Sequence, residues 1–167
     1  SLGNKTFSSI VGIDYDTDDQ VLEYMGKLST HEYPDVIKKC CDLLGENIFI
    51  IIERNTIGES VIGAIEKDTR YSSKMLKTVV RDKTGKVVKL FTGIETNPKT
   101  KPLFLEAVST YFDDNFEHIY GERTIMQIGS VEVKDGKLLG TPNDLVMAYS
   151  FIAYAKKNNL IKFDGTS

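Results

Sequence analysis

The 167-residue chain has no tryptophan, only two cysteines and only two histidines. Cys40 and Cys41 are adjacent in a predicted helix, where successive side chains diverge by about 100°, so a disulfide between them is disfavoured. His31 and His118 stand in no cluster with cysteines or acids at zinc-like spacing. These shortages argue for a reducing compartment and against a zinc site. Any metal site would therefore be built from oxygen ligands.

The sequence also lacks long apolar runs and a general positive charge. No segment approaches the roughly 20 apolar residues of a membrane span, and no signal-peptide pattern opens the chain. We therefore expect a soluble, cytosolic protein. The net charge of −3 means that any contact with DNA must come from a local patch. No Gly-x-x-x-x-Gly-Lys-Ser/Thr phosphate loop occurs, so we do not expect ATP hydrolysis.

What the chain does contain is enough apolar sequence for a core. With 41% hydrophobic residues, it predicts one domain over 1–167. Apolar periodicity and turn residues predict helices at 34–44, 57–67, 101–112 and 142–157, strands at 7–15, 20–28 and 47–53, a projecting hairpin near 76–92 and a β-like segment at 123–133. This order predicts an α/β fold, with a mixed sheet flanked by helices on both faces.

Glu53 ends the most apolar strand pattern, because Phe-Ile-Ile-Ile at 49–52 runs straight into it. A carboxylate at the end of a buried strand is costly unless something pairs with it. Arg54 is not the obvious partner, since in a strand its side chain points to the opposite face. Another lysine or arginine would satisfy Glu53, and so would a divalent cation, so both interpretations stay open here.

Asp144 is the second candidate acid and opens the last predicted helix. An acid in a first turn ordinarily complements the helix dipole, with Thr141 or Asn143 as the N-cap. Asp14 is a third candidate, because Ile-Val-Gly-Ile-Asp at 10–14 resembles the strand that opens many ribonuclease H-like and resolvase domains. Asp14 also fits the start of a solvated acidic turn.

Positive charge is concentrated between residues 74 and 101, which carry a net +6 and leave −9 for the rest of the chain. Such a patch on a projecting hairpin suits a DNA backbone. Lysines that protect an exposed hairpin from aggregation would give the same pattern. A corner at 97–101, just before a helix, would offer backbone amides to phosphate. The DNA-binding candidates are Lys83, Lys86, Lys89, Lys99 and Lys101.

Three stretches, in this order, carry a family resemblance. Residues 52–58 are similar to an Ile-Glu-x-Asn-x-x-Gly motif, 96–102 to a Thr-Lys segment before a helix, and 143–148, which read Asn-Asp-Leu-Val-Met-Ala, to an Asp-Asp-Leu-Val-Met-Ala motif. Together they resemble the C-terminal nuclease domain of the terminase large subunit, the DNA-packaging motor protein of tailed bacteriophages. The likeness extends over nearly the whole chain.

The resemblance implies a ribonuclease H-like fold in which three acids hold Mg²⁺ or Mn²⁺ ions, with a two-metal site expected. Glu53 and Asp144 match the second and third acids. Residues 2–6 resemble the loop that follows the first acid, which is then expected just upstream of Ser1, as are the first strand and the ATPase domain. In this register Asp14 lies outside the site. Asn143 departs from the pattern, since many relatives carry another acid there.

The implied function is a metal-dependent endonuclease that cuts concatemeric double-stranded DNA during genome packaging in the host cytoplasm. Lys101 and Lys99 would neutralise phosphate charge near the cut bond, and the hairpin lysines would hold flanking backbone. The implied partners are DNA, the ATPase domain, the small terminase subunit and the portal, with no membrane. The alternatives are a resolvase-like nuclease that uses Asp14 and a catalytically silent DNA-binding or portal-docking module.

Overall fold

The structure, a computed structural model, describes residues 7–163. The loop expected at 2–6 lies outside these residues. The described chain is a mixed α/β protein. Its elements are β1 (Phe7–Ile13), β2 (Gln20–Lys27), α1 (Glu32–Leu44), α2 (Thr56–Glu66), α3 (Thr69–Ser72), β3 (Lys77–Arg81), β4 (Val87–Thr92), α4 (Lys101–Asn115), a 3-10 turn (Phe116–His118), α5 (Glu122–Ser130), β5 (Glu132–Lys134), β6 (Lys137–Leu139) and α6 (Asp144–Lys157).

The chain divides into two compact units. Within the described residues, the first unit comprises 7–29 and 97–158, and the second comprises 30–96 and 159–163. The described strands pair antiparallel as β1 with β2, β3 with β4, and β5 with β6. The predicted hairpins at 7–28 and 76–92 are therefore confirmed as strand pairs.

The core of the first unit forms where α6 packs against α4 and β1. Apolar residues recur along α6 at three- and four-residue intervals, which places them on one face of the helix. Tyr149 lies at the centre of this face with no exposed surface, and its ring lies 5.2 Å from that of Phe112. The buried members of the cluster are Ala107, Val108, Tyr111, Ile119, Val146, Tyr149 and Ala153.

The β-like prediction for 123–133 is wrong over most of its length, because Glu122–Ser130 is helix α5. The buried residues of this helix, Thr124 and Gln127, are polar. The sequence therefore lacks the apolar residues at helical spacing that would have predicted a helix here. Side chains of β2 hold its first turn: Glu23 accepts a hydrogen bond from the Arg123 amide at 3.1 Å.

The second unit packs α1 and α2 together. Ile37, Cys40 and Cys41 on α1, and Val61 and Ile65 on α2, are buried at helical spacing. The two cysteines are free thiols, as predicted. Burial raises the pKa of the Cys41 thiol to about 11, so it stays protonated and unreactive at neutral pH.

The strand predicted at 47–53 is reduced to isolated parallel bridges, Ile50 with Met75 and Glu53 with Ile94. The physical reason is a change of partner. Ile50 exchanges hydrogen bonds with Lys74 and Leu76, whereas Ile52 and Arg54 bond to Ile94. Gly93 allows this switch: its φ is +95°, and a β-carbon there would lie 2.7 Å from the Ile52 carbonyl oxygen.

None of the helices within 7–163 combines the length and apolar character that crossing a bilayer requires.

Candidate metal ligands and nucleic-acid interface

Glu53 lies where the bridged segment ends and α2 begins, and its side chain is partly buried. The Asn55 side chain joins the two. Its Nδ2 donates to Glu53 Oε2 at 3.2 Å, while its Oδ1 accepts from the Gly58 amide at 2.7 Å and so caps α2. One amide side chain thus holds both the carboxylate and the first turn of the helix.

The first turn of α2 lies directly against the backbone of Glu53, and this close approach requires glycine at position 58. A β-carbon on Gly58 would collide with the Glu53 carbonyl oxygen and would lie 3.2 Å from Asn55 Oδ1. Only glycine lets the first turn approach so closely. The spacing Glu-x-Asn-x-x-Gly at 53–58 therefore has a local physical cause.

As the strand geometry predicted, Arg54 is not the partner of Glu53. Its Nε lies 3.4 Å from Glu59 Oε1, and its guanidinium donates to the Thr92 carbonyl at 3.3 Å. No lysine or arginine between residues 7 and 163 forms an ion pair with Glu53. The interpretation of Glu53 as one half of an ion pair is therefore not supported by the described residues.

Asp144 is the first residue of α6, and its backbone is held from two directions. Ser9 Oγ of β1 donates to the Asp144 carbonyl at 3.1 Å, and Gln127 Oε1 of α5 accepts from the Leu145 amide at 2.8 Å. Asn143 is the N-cap residue, but its side chain donates to the Gly140 carbonyl at 3.0 Å and does not cap the helix. The described residues form no hydrogen bond or ion pair with the Asp144 carboxylate.

Asp14 lies in the turn that joins β1 and β2, where its side chain is exposed. Its carboxylate accepts hydrogen bonds from the amides of Asp16 at 2.9 Å and Thr17 at 3.3 Å. This is an Asx turn, in which the acid stabilises its own loop. The structure therefore places Asp14 as the turn interpretation expected.

Asp18 and Asp19, at the end of the same turn, connect it to the rest of the first unit. Tyr111 and Lys156 donate to Asp18 at 2.9 and 2.5 Å. Asp19 Oδ1 lies 2.8 Å from His118 Nδ1, and this hydrogen bond lowers the pKa of the Asp19 carboxyl and raises that of the His118 imidazole. These acids serve the fold of the hairpin.

The hairpin of β3 and β4 carries the positive patch of the second unit. All side chains from Arg81 to Leu90 are exposed. Asp82 closes the tip by accepting from the amides of Thr84 at 2.8 Å and Lys86 at 3.0 Å, and its bonds to Thr84 lower the pKa of its carboxyl. The acid at the tip is thus engaged in the turn.

The hairpin lysines differ in their surroundings. Lys89 Nζ pairs with Glu95 at 3.0 Å and lies 4.7 Å from the centre of the Phe91 ring. The ammonium groups of Lys83 and Lys86 have no ion-pair or hydrogen-bond partner in the described chain. These two cations are the ones most available to a phosphate backbone.

The corner at 97–101 belongs to the first unit and has its amides occupied. Asn97 Oδ1 accepts from the amides of Lys99 at 2.9 Å and Thr100 at 3.0 Å, and the Asn97 carbonyl accepts from the Lys101 amide at 2.9 Å. The amides predicted to face phosphate therefore bond within the corner. The side chains of Lys99 and Lys101 remain as its charged groups.

The candidate residues are thus distributed over both units. Glu53 and the hairpin lysines belong to the second unit, and Asp144, Lys99 and Lys101 belong to the first. Within each unit, the structure joins Glu53 to Asn55, Asp144 to Ser9, and the neighbouring Leu145 to Gln127. Residues 7–163 contain no group of three histidine, cysteine or acidic side chains that could hold a metal ion.

Two of these supporting residues escape sequence reasoning. Ser9 is separated from Asp144 by 135 residues and Gln127 from Leu145 by 18, so neither pairing leaves a local pattern.

No family model matches the chain, and no curated protein sequence matches it.

Proposed function

We propose that this chain is the metal-dependent endonuclease domain of a phage terminase large subunit, with a ribonuclease H-like fold, which cuts concatemeric double-stranded DNA during genome packaging. The observation that carries this proposal is the local structure of residues 53–58. There Asn55 bonds to the Glu53 carboxylate and caps α2, and Gly58 lets this helix begin against the Glu53 backbone, so three fixed positions of the resembled motif have a structural reason.

Glu53 and Asp144 are the proposed metal ligands. Carboxylate oxygens are the donors that Mg²⁺ and Mn²⁺ prefer. Both acids lie at helix starts and are partly buried, and neither pairs with a cation in the described chain. Two such ions, when bound, activate a water and stabilise the leaving oxygen of a phosphodiester. The protein's part is to hold the two carboxylates in a fixed orientation.

The hairpin lysines are proposed to bind the DNA backbone. Lys83 and Lys86 carry this role most directly, because their ammonium groups are not engaged elsewhere in the described chain. Lys89 is restrained by Glu95, so we expect a smaller contribution from it. Lys99 and Lys101 are proposed to neutralise phosphate near the scissile bond through their side chains.

Asp14 favours this register over the resolvase-like alternative. Its carboxylate already accepts two amides of its own turn, which is a structural role that requires no metal. The ATPase domain, the small terminase subunit and the portal enter the proposal as partners through the resemblance alone.

The test is cleavage of supercoiled plasmid in Mn²⁺ or Mg²⁺, with EDTA as the control. Because the resemblance puts the first acid ahead of Ser1, the assay includes both this chain and a chain that extends upstream. We expect metal-dependent nicking and linearisation by the extended chain. DNA binding without any cleavage by the extended chain would contradict the nuclease proposal and favour the silent DNA-binding module.

A further inference from the structure

Gln127 is a buried polar side chain whose hydrogen bonds leave its own helix. It lies on α5 and is only 3% exposed. Its Oε1 accepts from the Leu145 amide of α6 at 2.8 Å, and its Nε2 lies 3.4 Å from the Met25 sulfur of β2. A buried amide group is costly without such partners, so the side chain is fixed in this orientation.

The start of α6 depends on this side chain. The first amides of a helix have no partner within the helix and need a cap. The Asn143 side chain bonds to Gly140 instead, and Leu145 is fully buried, so its amide is shielded from water. Gln127 therefore supplies the cap from another helix.

The backbone on the C-terminal side of Asp144 is therefore held by two hydrogen bonds from other elements. Ser9 bonds to the Asp144 carbonyl, and Gln127 bonds to the next amide along the chain. Neither bond uses the Asp144 carboxylate, which has no partner among the described residues. The two bonds fix the Cα position of Asp144 while its oxygens stay available.

We infer that Gln127 is a positioning residue for metal binding at Asp144, an inference that rests on the proposed function. It acts through the Leu145 amide and does not touch the ion. Without an acceptor at this point, the first turn of α6 has an unsatisfied buried amide and loosens, so Asp144 spends less time in the orientation that binds a cation.

A matched control lies one turn earlier on the same helix. Thr124 is fully buried, accepts from Gln20 Nε2 at 3.0 Å and donates to Glu23 at 3.3 Å, and has no hydrogen bond to α6. Thr124→Val removes a buried polar group from α5 as Gln127→Met does. The two variants therefore separate loss of stability from loss of positioning at Asp144.

The experiment is a Mn²⁺ titration of the ¹⁵N-labelled chain extended upstream of Ser1, read as paramagnetic broadening of the Leu145 and Val146 amide signals. We expect Gln127→Met to need about tenfold more Mn²⁺ than the wild type for half-maximal broadening. Thr124→Val should keep the wild-type midpoint although it lowers the urea midpoint of unfolding.

Equal Mn²⁺ midpoints for Gln127→Met and the wild type would overturn the role of Gln127 and leave the proposed function intact. Absence of broadening at the start of α6 in the wild type would overturn metal binding at Asp144, and the role of Gln127 with it. If Gln127→Met does not fold, hydrogen exchange of the wild-type Leu145 amide decides. Exchange as slow as that of the α6 interior supports the bond, and exchange at the free-peptide rate overturns it.

Discussion

Asn55 connects the Glu53 carboxylate to the first turn of α2, through a hydrogen bond of 3.2 Å on one side and one of 2.7 Å on the other. Loss of this cap in Asn55→Ala should lower the free energy of unfolding by about 1 kcal/mol. Urea unfolding measures this change. Plasmid cleavage by the same variant should fall, because the Glu53 side chain loses its donor.

Asn55→Asp separates the two roles of this residue. Aspartate keeps an oxygen that caps the helix, so stability should change by less than about 0.5 kcal/mol. It replaces the amide donor with a second negative charge beside Glu53, so cleavage should still fall. Wild-type cleavage by a stable Asn55→Asp protein would show that the Glu53 hydrogen bond is dispensable.

Gly58→Ala tests the close approach of α2 to the Glu53 backbone. The added β-carbon must displace the Glu53 carbonyl, and we expect a loss of about 1–3 kcal/mol in the free energy of unfolding. Gly63→Ala in the same helix is the control. Nothing lies within 4 Å of a β-carbon there, so it should stabilise the protein by roughly 0.5–1 kcal/mol. Equal effects of the two substitutions would remove the steric argument.

Lys83→Glu combined with Lys86→Glu tests the DNA interface. We expect weaker binding of a DNA duplex, and a salt dependence of log Kd that is flatter by about two. Fluorescence anisotropy over a salt series measures both. Lys39→Glu with Lys157→Glu changes the net charge equally at exposed positions elsewhere. If this control weakens binding as much, the hairpin has no special role.

The bond between His118 and Asp19 predicts a pH-dependent fastening of the β1–β2 turn. The raised His118 pKa means that its contribution is full below the ordinary value of about 6.5 and is lost as pH rises through the raised value. The lowered Asp19 pKa means that its contribution is present above about 3.8 and is lost as pH falls through the lowered value. The bond therefore contributes fully between about pH 3.8 and about pH 6.5.

An NMR titration of the His118 ring protons measures this coupling, with the signals assigned by comparison with His31→Gln. Asp19→Asn should bring the His118 pKa down towards 6.5, because the charged acceptor is removed. An unchanged His118 titration in Asp19→Asn would show that the carboxylate does not set the pKa.

Sequence patterns predicted the elements whose apolar residues follow a regular period. Helix α6 is an example, since Leu145, Val146 and Tyr149 are both apolar and buried. Helix α5 was missed because Thr124 and Gln127 occupy its buried face. The bridged segment before Glu53 was predicted as a full strand, because no sequence period records that its partner changes from Met75 to Ile94.

The candidate acids were found because of where they stand in the sequence, but their supports were not. Glu53 and Asp144 follow or precede apolar runs, which is a local signal. Ser9 and Gln127 reach Asp144 and Leu145 only through the tertiary fold, and ordinary serine and glutamine residues carry no mark of such a contact. Asp14 is the reverse case: its motif suggests a catalytic strand, but the acid stabilises its own turn, as the turn interpretation predicted.

The most direct measurement of the central claim is Mn²⁺-dependent plasmid cleavage by alanine variants of the three acids, made in a chain that extends upstream of Ser1. Glu53→Ala and Asp144→Ala should each abolish cleavage while keeping the circular dichroism spectrum of the parent. Asp14→Ala should cut at close to the parent rate. Loss of cleavage in a folded Asp14→Ala protein, or full cleavage by either of the other two variants, would contradict the account.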